Sequence, residues 1–174
     1  MKDKLRIIEP LPLHADHFAR YGDVIEVDPS KSPLLINQEY TKRYDDLAEI
    51  DVLKNKGRIL VNIFRSRPLP MPLSIRMMER HPLSSQSFIP LSQEPYLVVV
   101  APPGDFHEEN IEIFLARGNQ GVNYRAGTWH HFLLALNIES DFLVIDRGSD
   151  DKNCDEVVVS GDIKIKYSPE DIND

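Results

Sequence analysis

A chain of 174 residues, 41% hydrophobic and 28% charged, has the size and balance of one soluble domain able to bury a core of its own. Its net charge of −8 argues against nucleic acid, which calls for a basic face to neutralise phosphates, and no run approaches the roughly 18 apolar residues needed to cross a bilayer. One cysteine, Cys154, excludes an internal disulfide framework and a thiolate-rich zinc site. The N-terminal Met-Lys-Asp-Lys-Leu-Arg leads into Ile-Ile-Glu-Pro and no apolar signal core, so a single cytoplasmic domain over 1–174 is expected.

Thirteen prolines against eight glycines, with short apolar runs between them, predict many strands and little helix. The early helix candidate is 14–21, ended by Gly22 at the position that favours a left-handed residue. Short strands are expected at 24–27 and 34–40, with 42–51 a helical turn or a loop. The 58–67 run alternates, with Leu60, Asn62 and Phe64 on one face and Val61, Ile63 and Arg65 on the other; prolines break it at 68–72. Residues 74–80 lead into Glu79–Leu91, where Gln86, Phe88 and Pro90 share a face.

Residues 95–101 are apolar on both faces, as a strand covered on both sides must be. Further strands are expected at 111–116, 122–124 and 132–137, flanking the Gly118–Gly121 turn and Trp129-His130-His131. In 140–147 Phe142, Val144 and Asp146 oppose Leu143, Ile145 and Arg147; 157–159 and 163–167 close the fold, and 168–174 is an acidic tail with little to pack. Roughly ten short strands with one or two minor helices predict a mainly β sandwich or barrel.

Chemistry concentrates in two stretches. On an extended backbone i and i+2 project together, so Glu79 and His81 face one side, and Gln86 joins them if the next strand turns its inner face to them. An imidazole with two oxygen donors is half of a divalent-metal site; the same residues in an exposed turn would be a solvated loop. Of His130 and His131 only one can look inward, which would supply a further imidazole, although such a pair is also compatible with packing or surface exposure. Arg65 and Arg147 interrupt apolar strands and could clamp a small carboxylate or simply mark strand ends, and Asp146 is a buried hydrogen-bond partner or a general base. Cys154 lies among acidic residues that disfavour thiolate, so it is no nucleophile. Phosphate loops, GxSxG elbows and HExxH helices are absent from the sequence.

The spacing Glu79-x-His81-x4-Gln86 followed by Gly127-x2-His130 resembles a degenerate pair of cupin motifs, with Glu79, His81, Gln86 and His130 standing where that superfamily places His, His, Glu and His. More specifically the chain resembles the ureidoglycolate lyase family. The likeness is carried by 18–26, by Arg43-Tyr44-Asp45-Asp46-Leu47-Ala48, by Glu79-Arg80-His81-Pro82-Leu83 through Pro90, by Gly121-Val122-Asn123-Tyr124, by Trp129-His130-His131 and by 141–148.

This resemblance implies a cupin-type antiparallel β-barrel (double-stranded β-helix or jelly roll) with one or two short helices. It also implies a homodimer, and cleavage of ureidoglycolate into glyoxylate and urea with a divalent cation, nickel or zinc. Carried onto these positions, His81, Gln86 and His130 hold the cation or substrate oxygens, and Glu79 is a fourth ligand or the base. Arg65 or Arg147 clamps the carboxylate, and Asp146 orients one of them. A non-catalytic cupin that binds an organic acid, or an amidohydrolase that releases ammonia, would use the same site.

Overall fold

The computed structural model describes residues 5–168. Ser168 is thus the only residue of the acidic 168–174 tail within the described residues. Two sheets, antiparallel except where Leu11–Pro12 joins Glu112–Ala116 in parallel, face each other across an aromatic and aliphatic interior. One has five strands in the order Gly22–Ile25, Gly121–Tyr124, Gln86–Pro90, Ser140–Gly148 and Arg58–Ser66. The other runs Asp155–Val158, Met77–Arg80, Trp129–His130, Tyr96–Ala101, Glu112–Ala116 and Leu11–Pro12, with Leu134–Ala135 also paired to Tyr96–Ala101. A small sheet of Arg6–Ile8, Ile163–Ile165 and Leu73–Ser74 covers the outer side of the second sheet, and Leu34–Ile36 pairs with Thr41–Arg43 as a hairpin. The mainly β, cupin-type expectation is met.

Tyr96–Ala101 shows why the layers stack this way. Alternation sends Tyr96, Val98 and Val100 into the interior between the two large sheets, against Phe88, Val122, Phe142 and Val144. Leu97, Val99 and Ala101 point the other way, onto Ile75, Ile163 and Ile165. All six are buried, as the two-faced apolar run predicts. The one polar tip among them is satisfied: Tyr96 Oη donates to the Gln120 carbonyl at 2.7 Å.

The expected helix at 14–21 is helical only over Ala15–Phe18. Phe18 and Tyr21 are both fully buried against Phe114, so tertiary packing turns the chain early, and Gly22 opens a strand instead of closing the helix. Glycine is required there because a Cβ would fall onto the Asn123 carbonyl oxygen of the paired strand.

The 34–40 run is strand only to Ile36, because Asn37, Gln38 and Glu39 take positive φ values of 53°, 57° and 68° and reverse the chain into Thr41–Arg43. The 132–137 run contributes only Leu134–Ala135. Arg6–Ile8 and Leu11–Pro12 are strands of three and two residues, too short to show a period in the sequence.

Candidate functional site

The segment from Met77 to Pro90 crosses from one large sheet to the other, and the crossing carries the site. Met77–Arg80 belongs to the second sheet and Gln86–Pro90 to the first, so residues 81–85 bridge them at one end of the interior. Glu79 lies directly opposite His130 in the ladder, and antiparallel partners share a face. His130 therefore turns inward, 1% exposed, and stacks on Tyr124 with ring centroids 4.4 Å apart. Trp129 takes the outer face with Ile75 and Met78. His131 is also buried, its Nδ1 donating to the Phe132 carbonyl at 3.1 Å.

Two backbone carbonyls set the state of the inward imidazoles. His81 Nδ1 donates to the Asn153 carbonyl at 2.7 Å, and His130 Nδ1 donates to the Thr128 carbonyl at 3.0 Å. A carbonyl only accepts, so each Nδ1 carries a proton, and in the neutral form each ring presents a bare Nε2. Both Nε2 atoms are buried without a hydrogen-bond partner, as is Gln86 Oε1. Glu79 Oε1 is 3.5 Å from His130 Nε2, and ligand atoms of Glu79, His81 and His130 all lie within 4.8 Å of one another.

Electron-pair donors thus converge, an arrangement costly in a buried site unless a proton or a cation joins it. Imidazole nitrogens oriented by backbone carbonyls, with carboxylate and amide oxygens, fit a borderline divalent cation such as nickel or zinc.

The electrostatics follow from burial and these neighbours. The His130 ring facing it at 3.5 Å holds the Glu79 carboxyl below the ordinary glutamate value of 4.5, against the opposing effect of burial. Burial pushes the His81 and His131 rings below 6.5, so both favour the neutral form. Burial, then Glu79, raises the Tyr124 phenol. Cys154, with Sγ 3.9 Å from Glu79 Oε2, has its thiol raised by burial first and by Glu79 next, in keeping with a thiol that is no nucleophile.

A cavity of about 240 Å³ opens beside this cluster, lined by His81, Ser84, Gln86, Asp146, Arg147, Asn153 and Cys154. Its volume suits a small polar molecule, below the usual range for drug-sized ligands. Of the two candidate arginines only Arg147 reaches it. Its side chain is fully buried, with Nη2 on Asp151 at 3.0 Å and Nε buried and unpaired. Arg65 lies elsewhere: it makes a two-pronged pair with Asp141 at 2.7 and 2.9 Å and lines a different hollow with Leu91 and Glu139.

Asp146 touches neither arginine in the way expected of an orienting group; it accepts from Asn62 Nδ2 at 3.1 Å and sits by Gln86. Asn153, Ser84 and Tyr124 were not singled out by their sequence context. The Asp-Asp-Lys-Asn-Cys run around Asn153 has the composition of a solvated loop, and only the fold brings it to His81.

Comparison with known proteins bears on this arrangement. The sequence model of the family described as ureidoglycolate lyase matches residues 5–166. A ureidoglycolate lyase of Azotobacter vinelandii is 50% identical over 153 residues, which cover 87% of this chain and 92% of that protein. One of Burkholderia mallei is 52% identical over 149 residues, 86% of each chain. One of Pseudomonas fluorescens is 44% identical over 164 residues, 94% of this chain and 96% of its relative.

Proposed function

The chain belongs to the ureidoglycolate lyase family, and from that premise we propose that it cleaves ureidoglycolate into glyoxylate and urea where Glu79, His81, Gln86 and His130 converge. The observation that carries the assignment is the pair of bare, buried imidazole nitrogens set against a carboxylate and an amide oxygen beside a small polar cavity. His81, His130 and Gln86 Oε1, with Glu79 Oε1, are the groups that would hold a divalent cation, nickel or zinc. When bound, such a cation supplies positive charge to the hydroxyl and carboxylate oxygens of the substrate.

The chemistry asked of the residues is proton movement. Ureidoglycolate is a carbinolamide: loss of its hydroxyl proton lets the carbon–oxygen double bond form as the carbon–nitrogen bond breaks, and the departing urea nitrogen takes up one proton. No water is consumed. Glu79, held below the ordinary carboxylate range, is ionised at neutral pH and takes the hydroxyl proton on Oε2. That proton then goes to the urea nitrogen. Arg147, which lines the cavity, binds the substrate carboxylate through its unspent Nε.

The protein acts as a single-domain homodimer in the cytoplasm. The dimer is supported by Ile59, Val61 and Ile63, each more than half exposed along Arg58–Ser66, the terminal strand of its sheet. Among the described residues no helix is long and apolar enough to cross a membrane.

Purified protein is to be assayed on ureidoglycolate before and after chelation. Stoichiometric glyoxylate and urea are expected, with loss on chelation and recovery on adding nickel or zinc. Ammonia in place of urea would make the protein an amidohydrolase, and absence of both products a binding protein. His130→Ala is expected to lower turnover by at least about 10²-fold with the fold retained, the scale of losing a positioned proton-transfer or ligand group.

A further inference from the structure

Gln86 and Asp146 occupy neighbouring strands. Val144 pairs with Phe88 and Ile145 with Ser87 in the antiparallel ladder, so the next step sets Asp146 beside Gln86 on the face that carries Phe88 and Val144 inward. Gln86 is 8% exposed, and both residues line the cavity that His81 enters. Burial raises the Asp146 carboxyl while the nearby Gln86 amide works against that rise, as an N–H donor does. Asn62 supplies another donor to the same carboxyl at 3.1 Å.

A glutamine amide has two faces of opposite kind, and which one meets His81 matters. His81 Nε2 is a bare acceptor because its Nδ1 proton is spent on the Asn153 carbonyl. Left to itself, the Gln86 amide would turn its NH2 toward that lone pair and cap it. A capped lone pair is lost to any cation. Asp146 opposes this turn: its carboxylate oxygens, one of which already accepts from Asn62 Nδ2, draw the NH2 to themselves and repel the amide oxygen.

We propose that Asp146 is a positioning residue that fixes the flip of the Gln86 carboxamide, so that Oε1 faces His81 and the site while Nε2 faces Asp146. The inference rests on the cation reading given above and deepens it. The pair keeps one negative charge and one amide side by side, with the charge one strand away from the donor it orients. Exchanging the two, with Asn at 146 and Glu at 86, preserves both the charge and the hydrogen bond, and it needs no flip control because either carboxylate oxygen serves as donor.

The test uses the full chain in four forms: wild type, Asp146→Asn, Gln86→Glu and the double variant. Two measurements are made, calorimetric titration with Ni²⁺ and long-range ¹H–¹⁵N spectra of the His81 ring without metal. Asp146→Asn is expected to weaken Ni²⁺ binding by about tenfold or more, the usual cost of losing a group that orients a ligand. It is also expected to move the His81 Nε2 signal upfield as the lone pair accepts the flipped amide. The double variant is expected to recover affinity to within a few fold of wild type, which a merely structural role for Asp146 would not produce.

Wild-type affinity in Asp146→Asn, or a double variant as weak as that single variant, overturns the proposal. If wild-type protein takes up no Ni²⁺, the cation reading fails by itself. The nitrogen signal then decides the flip alone: an unchanged His81 Nε2 in Asp146→Asn sinks it, and an upfield shift sustains it.

Discussion

Asn153 holds three groups of the site at once. Its carbonyl takes the His81 Nδ1 proton at 2.7 Å, its Oδ1 accepts from Leu83 N at 2.8 Å, and its Nδ2 donates to Ser84 Oγ at 2.8 Å. The side chain thereby pins the 81–85 crossing from which His81 projects. Asn153→Ala keeps the carbonyl but releases the crossing, so cation affinity is expected to fall about tenfold, at the low end for an orienting group because the carbonyl remains. Each lost hydrogen bond also costs about 1 kcal/mol of stability. Calorimetric titration and chemical denaturation check both; unchanged affinity would show that the crossing is rigid without Asn153. His81 and His130 were legible as candidates because imidazoles are scarce and their spacing matched a strand face. Asn153 was not, because its role is made wholly by a contact 72 positions away.

Two elements show how packing and charge hold the frame. Ser140–Gly148 is paired on both sides, by Gln86–Pro90 and Arg58–Ser66, and its Phe142 is fully buried with the Tyr96 ring 5.0 Å away. Phe142→Ala is expected to cost about 3–5 kcal/mol in chemical denaturation, the range for an aromatic removed from a packed core. A cost below about 1 kcal/mol would mean the interior collapses into the gap.

On the far side, the short 3-10 turn Glu108–Asn110 is tied to the chain before Ile163–Ile165. Glu108 accepts from Ser160 N at 2.6 Å, from Ser160 Oγ at 2.8 Å and from Gly161 N at 2.9 Å. Burial pushes this carboxyl up, yet the Ser160 and Gly161 bonds together hold it below the ordinary 4.5. A depressed folded value means that Glu108 contributes stability fully above 4.5 and loses it as pH falls through the folded value. Glu108→Gln should therefore be less stable than wild type above 4.5, and the gap should close on acidification. Denaturation curves at several pH values test this, and a gap independent of pH would rule it out.

At the scale of the whole molecule, the exposed row Ile59, Val61 and Ile63 on a terminal strand is the surface on which the proposed dimer rests. Val61 and Ile63 pair with Ile145 and Leu143 across the ladder, extending an apolar face over two strands. A second copy meeting it around a twofold axis would cover both copies at once. Val61→Lys places a charge on this face, so sedimentation equilibrium is expected to show monomers with the fold intact. A Val61→Lys protein that stays dimeric would place the interface elsewhere.

Much of the molecule was determined by sequence alone: the β class, the two-faced burial of Tyr96–Ala101, the alternation of Ser140–Gly148 and the shared face of Glu79 and His81. Each is local, because side-chain direction follows from residue spacing along an extended chain. The tertiary structure decided the rest: that the 14–21 helix stops at Phe18, that Arg147 and not Arg65 reaches the cavity, that Asn153 orients His81, and that Asp146 stands beside Gln86. Those are matters of which strand pairs with which and in what register. Register comes from burying both sheets against one interior, a condition on the whole chain that no single stretch carries.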